Sequence, residues 1–195
     1  YLDQALGALD GVAESYRERD PRTLARFPIT WPEEMNSDQL YAYWDALEEH
    51  PRLTEAQRLR YTRMWLTVLR GLTTRVSDWA ALTRPQTVAY NHTTFPLKGI
   101  YFAARYFKHY YGLAEADDFL QRAHHCFMGQ ARSWKPSEDA DSYLTLTTNH
   151  AIDYLLAEWD LAPLREGMYR DFAEYEIAIN DSRGLNSGFG DSGIG

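Results

Sequence analysis

The pentapeptide Tyr90-Asn91-His92-Thr93-Thr94 places an amide and an imidazole side by side. Both side chains can hydrogen-bond a carboxylate. Pro96 follows closely, and proline is well tolerated only in the first turn of a helix. The spacing therefore predicts that the helix through Leu97, Ile100, Tyr101, Ala104 and Phe107 begins near Thr94 or Phe95. Asn91 and His92 then fall in the loop leading into that helix or in its first turn. Loop residues at the mouth of a rigid helix are a common location for chemistry. The same residues also read as local structure, with Asn91 or Thr94 as a helix cap and His92 packed beside it. The dipeptide recurs as Asn149-His150, 58 positions later.

Other residues carry charge or metal-binding chemistry. Lys98, Arg105 and Lys108 lie on the helix behind Asn91 and His92 and can supply positive potential. Lys108 also reads as part of a solvated face, and Arg105 as one half of an ion pair. Glu138, Asp139 and Asp141 cluster at a helix start. They read either as charge favoured by the helix dipole or as a catalytic carboxylate pair. His124 and His125 are adjacent, so on a helix they face apart and cannot chelate together. No metal or cofactor motif is read.

The elements that must hold these residues are nearly all helical. Apolar residues at Leu2, Leu6, Leu9 and Val12 predict a helix over Leu2 to Glu18. Pro21, Pro28 and Pro32 mark Asp20 to Glu34 as loop or short turns. Ser37 is predicted to cap a helix through Leu40, Tyr41, Trp44 and Leu47, ending near His50-Pro51. Thr54 and Gln57 form a capping box ahead of a helix over Thr54 to Leu72. Its apolar face comprises Tyr61, Met64, Trp65, Val68 and Leu69, and Trp44 and Trp65 read as core. A short helix is predicted over Ser77 to Leu82, then a loop from Arg84 to His92. Helices follow at about 94–111 and 114–133. Ser137 is predicted to cap a helix through Tyr143, Leu146, Ile152 and Leu155, and Ala162 to Ile179 is the last. No strand pair with a tight turn appears. Helix pairs joined by short loops, with a period of about 50–60 residues, suit a helical solenoid or a closed ring of hairpins.

Composition narrows the function classes. The chain of 195 residues is 45% hydrophobic and 14% aromatic, enough for one domain, or one large piece of a bigger one, with a substantial core. Its net charge of −8 gives no basic excess to argue for a nucleic-acid partner. No apolar run approaches the roughly 20 residues of a membrane span. The single cysteine, Cys126, excludes an intrachain disulfide and reads as a buried structural thiol. The start at Tyr1 reads as a processed or excised segment. The glycine-rich stretch from Gly184 to Gly195 reads as an inter-helix loop, so further helices are expected.

The stretch Tyr90-Asn91-His92-Thr93-Thr94-Phe95-Pro96, continued by Gly99-Ile100-Tyr101-Phe102-Ala103-Ala104-Arg105-Tyr106-Phe107, resembles the Asn-His-Gly-Thr region of alginate lyases and heparinase II/III-like polysaccharide lyases. Thr93 stands where that family usually has glycine, and Tyr90 where a second Asn is common. The resemblance implies an all-α fold of helical hairpins forming part of an incomplete α/α toroid. Residues 1–195 would be one segment of a larger catalytic domain, partnered by missing toroid helices and β-sandwich domains. It also implies secretion or periplasmic residence and an anionic, uronate-containing polysaccharide as substrate.

Such lyases remove the C5 proton of a uronic acid and expel the O4 sugar. The C5–H is very weakly acidic while the neighbouring carboxylate keeps its charge. By the resemblance, Asn91 and His92 would neutralise that carboxylate. Tyr143, on the next inner helix, would be the leading proton carrier, with Tyr90 and His150 as further candidates. Tyr90, Lys98, Trp134 and Asn149 would contact substrate, Trp134 by stacking on a sugar ring. The alternatives are a toroid glycoside hydrolase using Glu138, Asp139 or Asp141, and a non-catalytic helical array that binds glycans through its aromatic groove.

Overall fold

A computed structural model describes residues 2–17, 31–76, 79–85, 91–132, 141–167, 169–180 and 182–183. Tyr90, Trp134, Ser137, Glu138, Asp139 and the stretch 184–195 lie outside them. The described residues are all-α, with no strand. The helices are α1 (Leu2–Arg17), α2 (Trp31–Glu48), α3 (Glu55–Leu72), α4 (Asn91–Tyr111), α5 (Ala116–Arg132), α6 (Asp141–Glu158), α7 (Ala162–Arg165) and α8 (Arg170–Ile179), with one 3₁₀ turn at Trp79–Ala81. No described helix is long and apolar enough to cross a membrane.

The start of α3 follows its sequence. Gln57 N–H donates to Thr54 Oγ1 at 3.2 Å, and Thr54 N–H donates back to Gln57 Oε1 at 3.0 Å. This reciprocal pair satisfies donors the helix leaves open. Tyr61, Met64, Trp65, Val68 and Leu69 are all buried, one stripe at helical spacing.

Three boundaries differ from expectation. First, α2 begins at Trp31, so Ser37 is an interior residue and not a cap. Pro32 sits in the first turn, where its missing N–H costs nothing. Second, α4 begins at Asn91, making Pro96 its sixth residue. The N–H that Pro96 lacks would have met the His92 carbonyl, and the helix continues without that bond. Asn91 and His92 thus lie in the first turn of the helix, one of the two expected placements, and not in a preceding loop. Third, the stretch 162–179 is two helices, because Gly167 adopts φ +78° between α7 and α8. That left-handed conformation ends a helix and is cheap only for glycine.

The chain divides into two compact units, Tyr1–Val76 with Gly99–Leu120, and Ser77–Lys98 with Gln121–Gly195. In the first unit, contacts between α2 and α4 advance together. Ser37 packs on Gly99, Trp44 Nε1 donates to Tyr106 Oη at 2.9 Å, and Glu48 accepts from the Tyr111 hydroxyl. These two helices therefore run the same way. The intervening α3 runs against both. Trp65 packs tilted against Tyr41 and Tyr61 edge-on against Trp44, while Leu72 lies beside Gly99 and Thr62 beside Tyr111. A Cβ on Gly99 would stand 1.8 Å from Ser37 Oγ, so only glycine fits that crossing.

In the second unit, two rungs join α4 to α6. Thr94 Oγ1 lies 2.8 Å from His150 Nδ1, and Lys98 Nζ lies 3.0 Å from Asp153 Oδ2. Both rungs advance in one sense, as for helices running the same way. On α5, Phe127 stacks on Tyr154 with centroids 4.9 Å apart. Neighbouring His124 and His125 reach different partners, the Tyr154 hydroxyl at 2.8 Å and the Leu82 carbonyl at 2.9 Å. Cys126 is fully buried, and burial pushes its thiol above the ordinary range.

Candidate functional site

Asn91 stands at the N-terminus of α4, where helix N–H groups lack intrahelical partners and favour negative charge. It is 4% exposed. One turn on, the Thr94 hydroxyl donates to the Asn91 carbonyl at 3.0 Å and meets His150 Nδ1 at 2.8 Å. The Phe95 ring packs edge-on against the His150 imidazole, with centroids 4.3 Å apart. A further turn on, Lys98 forms its ion pair with Asp153. The four-residue spacing of Thr94 and Lys98 puts both on one face of α4.

His150 is 4% exposed, and its pKa is pushed down to about 3. Burial is the larger cause, because charging an imidazole away from water is costly. The Lys98 ammonium adds repulsion. The imidazole is therefore neutral at neutral pH, with one nitrogen carrying hydrogen and the other a lone pair.

On α6, Tyr143, Thr147, His150 and Tyr154 recur at helical spacing and form one face. Thr147, His150 and Tyr154 are buried on it and Tyr143 is half-buried. Tyr143 lies seven residues before His150, about 10 Å along the helix axis. Asn149 is exposed, off that stripe. The structure thus joins the Asn91 carbonyl and His150 through Thr94, places Lys98 a turn further along α4 in its pair with Asp153, and sets Tyr143 on the same face as His150. His92 is half-buried beside Asn91. Asn149 does not share the face of His150. Sequence reasoning read Thr94 only as a cap and gave Phe95 no role. The one available signal was a hydroxyl placed a single turn after Asn91, and its partner is 56 residues away.

A second polar cluster lies in the other unit. Trp44 donates to the Tyr106 hydroxyl, and the Tyr106 and Tyr111 hydroxyls both donate to the Glu48 carboxylate. Burial, then Glu48, raises the Tyr106 phenol well above its usual range. The Trp44, Tyr106 and Tyr111 donors each reach another member, and the Tyr111 hydroxyl also lies 3.4 Å from Thr62 Oγ1. Elsewhere on α4, Arg105 Nη1 donates to the Tyr101 hydroxyl at 2.7 Å, and Lys108 pairs with Asp117 at 2.6 Å between largely exposed side chains.

Comparison of the chain with family models, with curated proteins and with solved structures found no match.

Proposed function

We propose that this chain is part of an α/α toroid polysaccharide lyase that cleaves a uronate-containing polysaccharide by β-elimination. The carrying observation is the Thr94 bridge, which ties Asn91 at the mouth of α4 to His150 on α6. Through the Asn91 backbone carbonyl it ties the N-terminal turn of α4 to a neutral imidazole, with Lys98 a turn away. The toroid reading is supported by helices two apart in the chain running the same way, α2 with α4 and α4 with α6, and by the opposed course of α3.

In this reading Asn91 and His92 hold the substrate carboxylate and the enolate-like charge that develops as C5 loses its proton. Preorganised donors of this kind each contribute about 10²–10³ in rate. His150 takes the C5 proton, and the Tyr143 hydroxyl delivers a proton to the departing O4. Bond making and breaking balance: the C5–H and C4–O4 bonds break, a C4–C5 double bond forms, and no water is consumed. The bound carboxylate also brings the negative charge that raises the basicity of an imidazole held low by burial and Lys98. Lys98 contacts the polyanion, along with Tyr90 and Trp134, Asn149 being off the His150 face, and the enzyme acts in a secreted or periplasmic setting.

The test is ultraviolet absorbance of the unsaturated uronate product, using the full-length protein on a panel of uronate polysaccharides. Absorbance should rise, and Asn91→Ala or His92→Ala should each reduce the rate by about 10²–10³. New reducing ends without unsaturation would replace the lyase by a hydrolase. Glycan binding with neither product would replace it by a binding module.

A further inference from the structure

We infer that Thr94 is a positioning residue that fixes His150 as its Nδ1–H tautomer, leaving Nε2 as the nitrogen that accepts a proton. The role given to Nε2 rests on the lyase reading above. The tautomer does not.

The tautomer follows from a count of hydrogens. The Thr94 hydroxyl has one hydrogen and two close neighbours, the Asn91 carbonyl at 3.0 Å and His150 Nδ1 at 2.8 Å. A carbonyl oxygen only accepts. Were the hydroxyl hydrogen given to Nδ1, two oxygen lone pairs would face each other at 3.0 Å with nothing between them. Giving it to the carbonyl leaves a Thr94 lone pair aimed at Nδ1, which must then carry hydrogen. Only this second arrangement makes both short contacts hydrogen bonds.

The hydroxyl has little freedom to choose otherwise. In a helix, threonine is confined to two χ1 wells, one of which bonds the carbonyl a turn back. The contact to Asn91 shows Thr94 in that well. The edge-on Phe95 ring limits rotation of the imidazole. A doubly protonated ring is excluded at neutral pH by its burial and by Lys98. Among the described residues no hydrogen bond reaches Nε2, so its lone pair is the one available for chemistry. Orienting partners of this kind are worth about 10–100-fold where they steer a ligating histidine.

Nitrogen-15 spectra of the full-length protein, labelled at histidine, test this directly. His150 is assigned by its loss in His150→Gln. At neutral pH the wild type should show a pyrrole-like Nδ1 and a pyridine-like Nε2, and Thr94→Ser should keep that pattern. Thr94→Val should shift the hydrogen toward Nε2. On a uronate substrate Thr94→Val should lower kcat about 10–100-fold with KM little changed, and Thr94→Ser should restore it. A pyrrole-like Nε2 in the wild type overturns the inference without any variant. An unchanged spectrum in folded Thr94→Val also overturns it. The expected spectra with no polysaccharide cleaved would uphold the tautomer and remove the lyase reading.

Discussion

Trp44, Tyr106, Tyr111 and Glu48 link α2 to α4 in one unit. Asn91, Thr94 and His150 link α4 to α6 in the other. Both clusters join helices that run the same way, and both are built on an aromatic or heteroaromatic ring with a polar handle. They differ in how they end. In the first, the carboxylate absorbs two phenol hydrogens, and each donor meets an acceptor inside the cluster. In the second, the series of hydrogen bonds stops at a neutral imidazole with one nitrogen left over. A closed chain holds helices together, whereas an open one leaves a group able to exchange a proton. Burial alone does not separate the two, because Trp44 and Tyr106 are as buried as Asn91 and His150.

That contrast breaks first on activity. If the open cluster carries the chemistry, His150→Gln should lower β-elimination by about 10²–10⁴, measured as the initial rise in product absorbance. Tyr106→Phe should leave it within a few-fold in protein shown to be folded. Comparable losses in both variants would erase the distinction.

A smaller effect distinguishes the clusters by acid. His150 binds its proton at about pH 3 in the folded chain and near 6.5 when unfolded. Between those values the unfolded state holds more protons, so stability falls as pH drops below about 6.5. One such site costs roughly 2 kcal/mol by pH 5. Urea midpoints at pH 7 and pH 5 should show that loss, and His150→Gln should remove most of it. The Glu48 cluster should contribute no comparable step there through Tyr106, whose raised phenol stays protonated throughout.

The smallest effect is in the closed cluster. Tyr106→Phe removes the acceptor of the Trp44 N–H and one donor to Glu48, costing about 1–2 kcal/mol. A loss well below that would mean the cluster is not the clamp its geometry implies.

The sequence made some of this plain and hid the rest for physical reasons. The capping box of Thr54 and Gln57 and the stripe from Tyr61 to Leu69 depend on neighbours three or four residues away, so they were readable. The helix starts at Trp31 and Asn91 were not. Each has a proline inside the helix, at Pro32 and Pro96, and local rules treat proline as punctuation. Gly167 was passed over for the opposite reason, since an isolated glycine in a helical pattern is often tolerated. Asn91 and His150 stood out by type, but the residue joining them, Thr94, looked like an ordinary cap. Its role depends on a contact across 56 residues, and nothing local encodes that.

The division of the chain has a consequence for biosynthesis. Neither unit is a continuous stretch: residues 77–98 interrupt the first, and the second is completed only by 121–195. During synthesis the first unit has all its residues once Leu120 has emerged. The 77–98 segment, which carries Asn91 and Thr94, must then wait for His150. At typical elongation rates the 30 residues from Leu120 to His150 take roughly 2–6 s to appear. For that interval the start of α4 lacks the partner that engages Thr94 in the finished protein, and a nascent-chain binding factor has access to it.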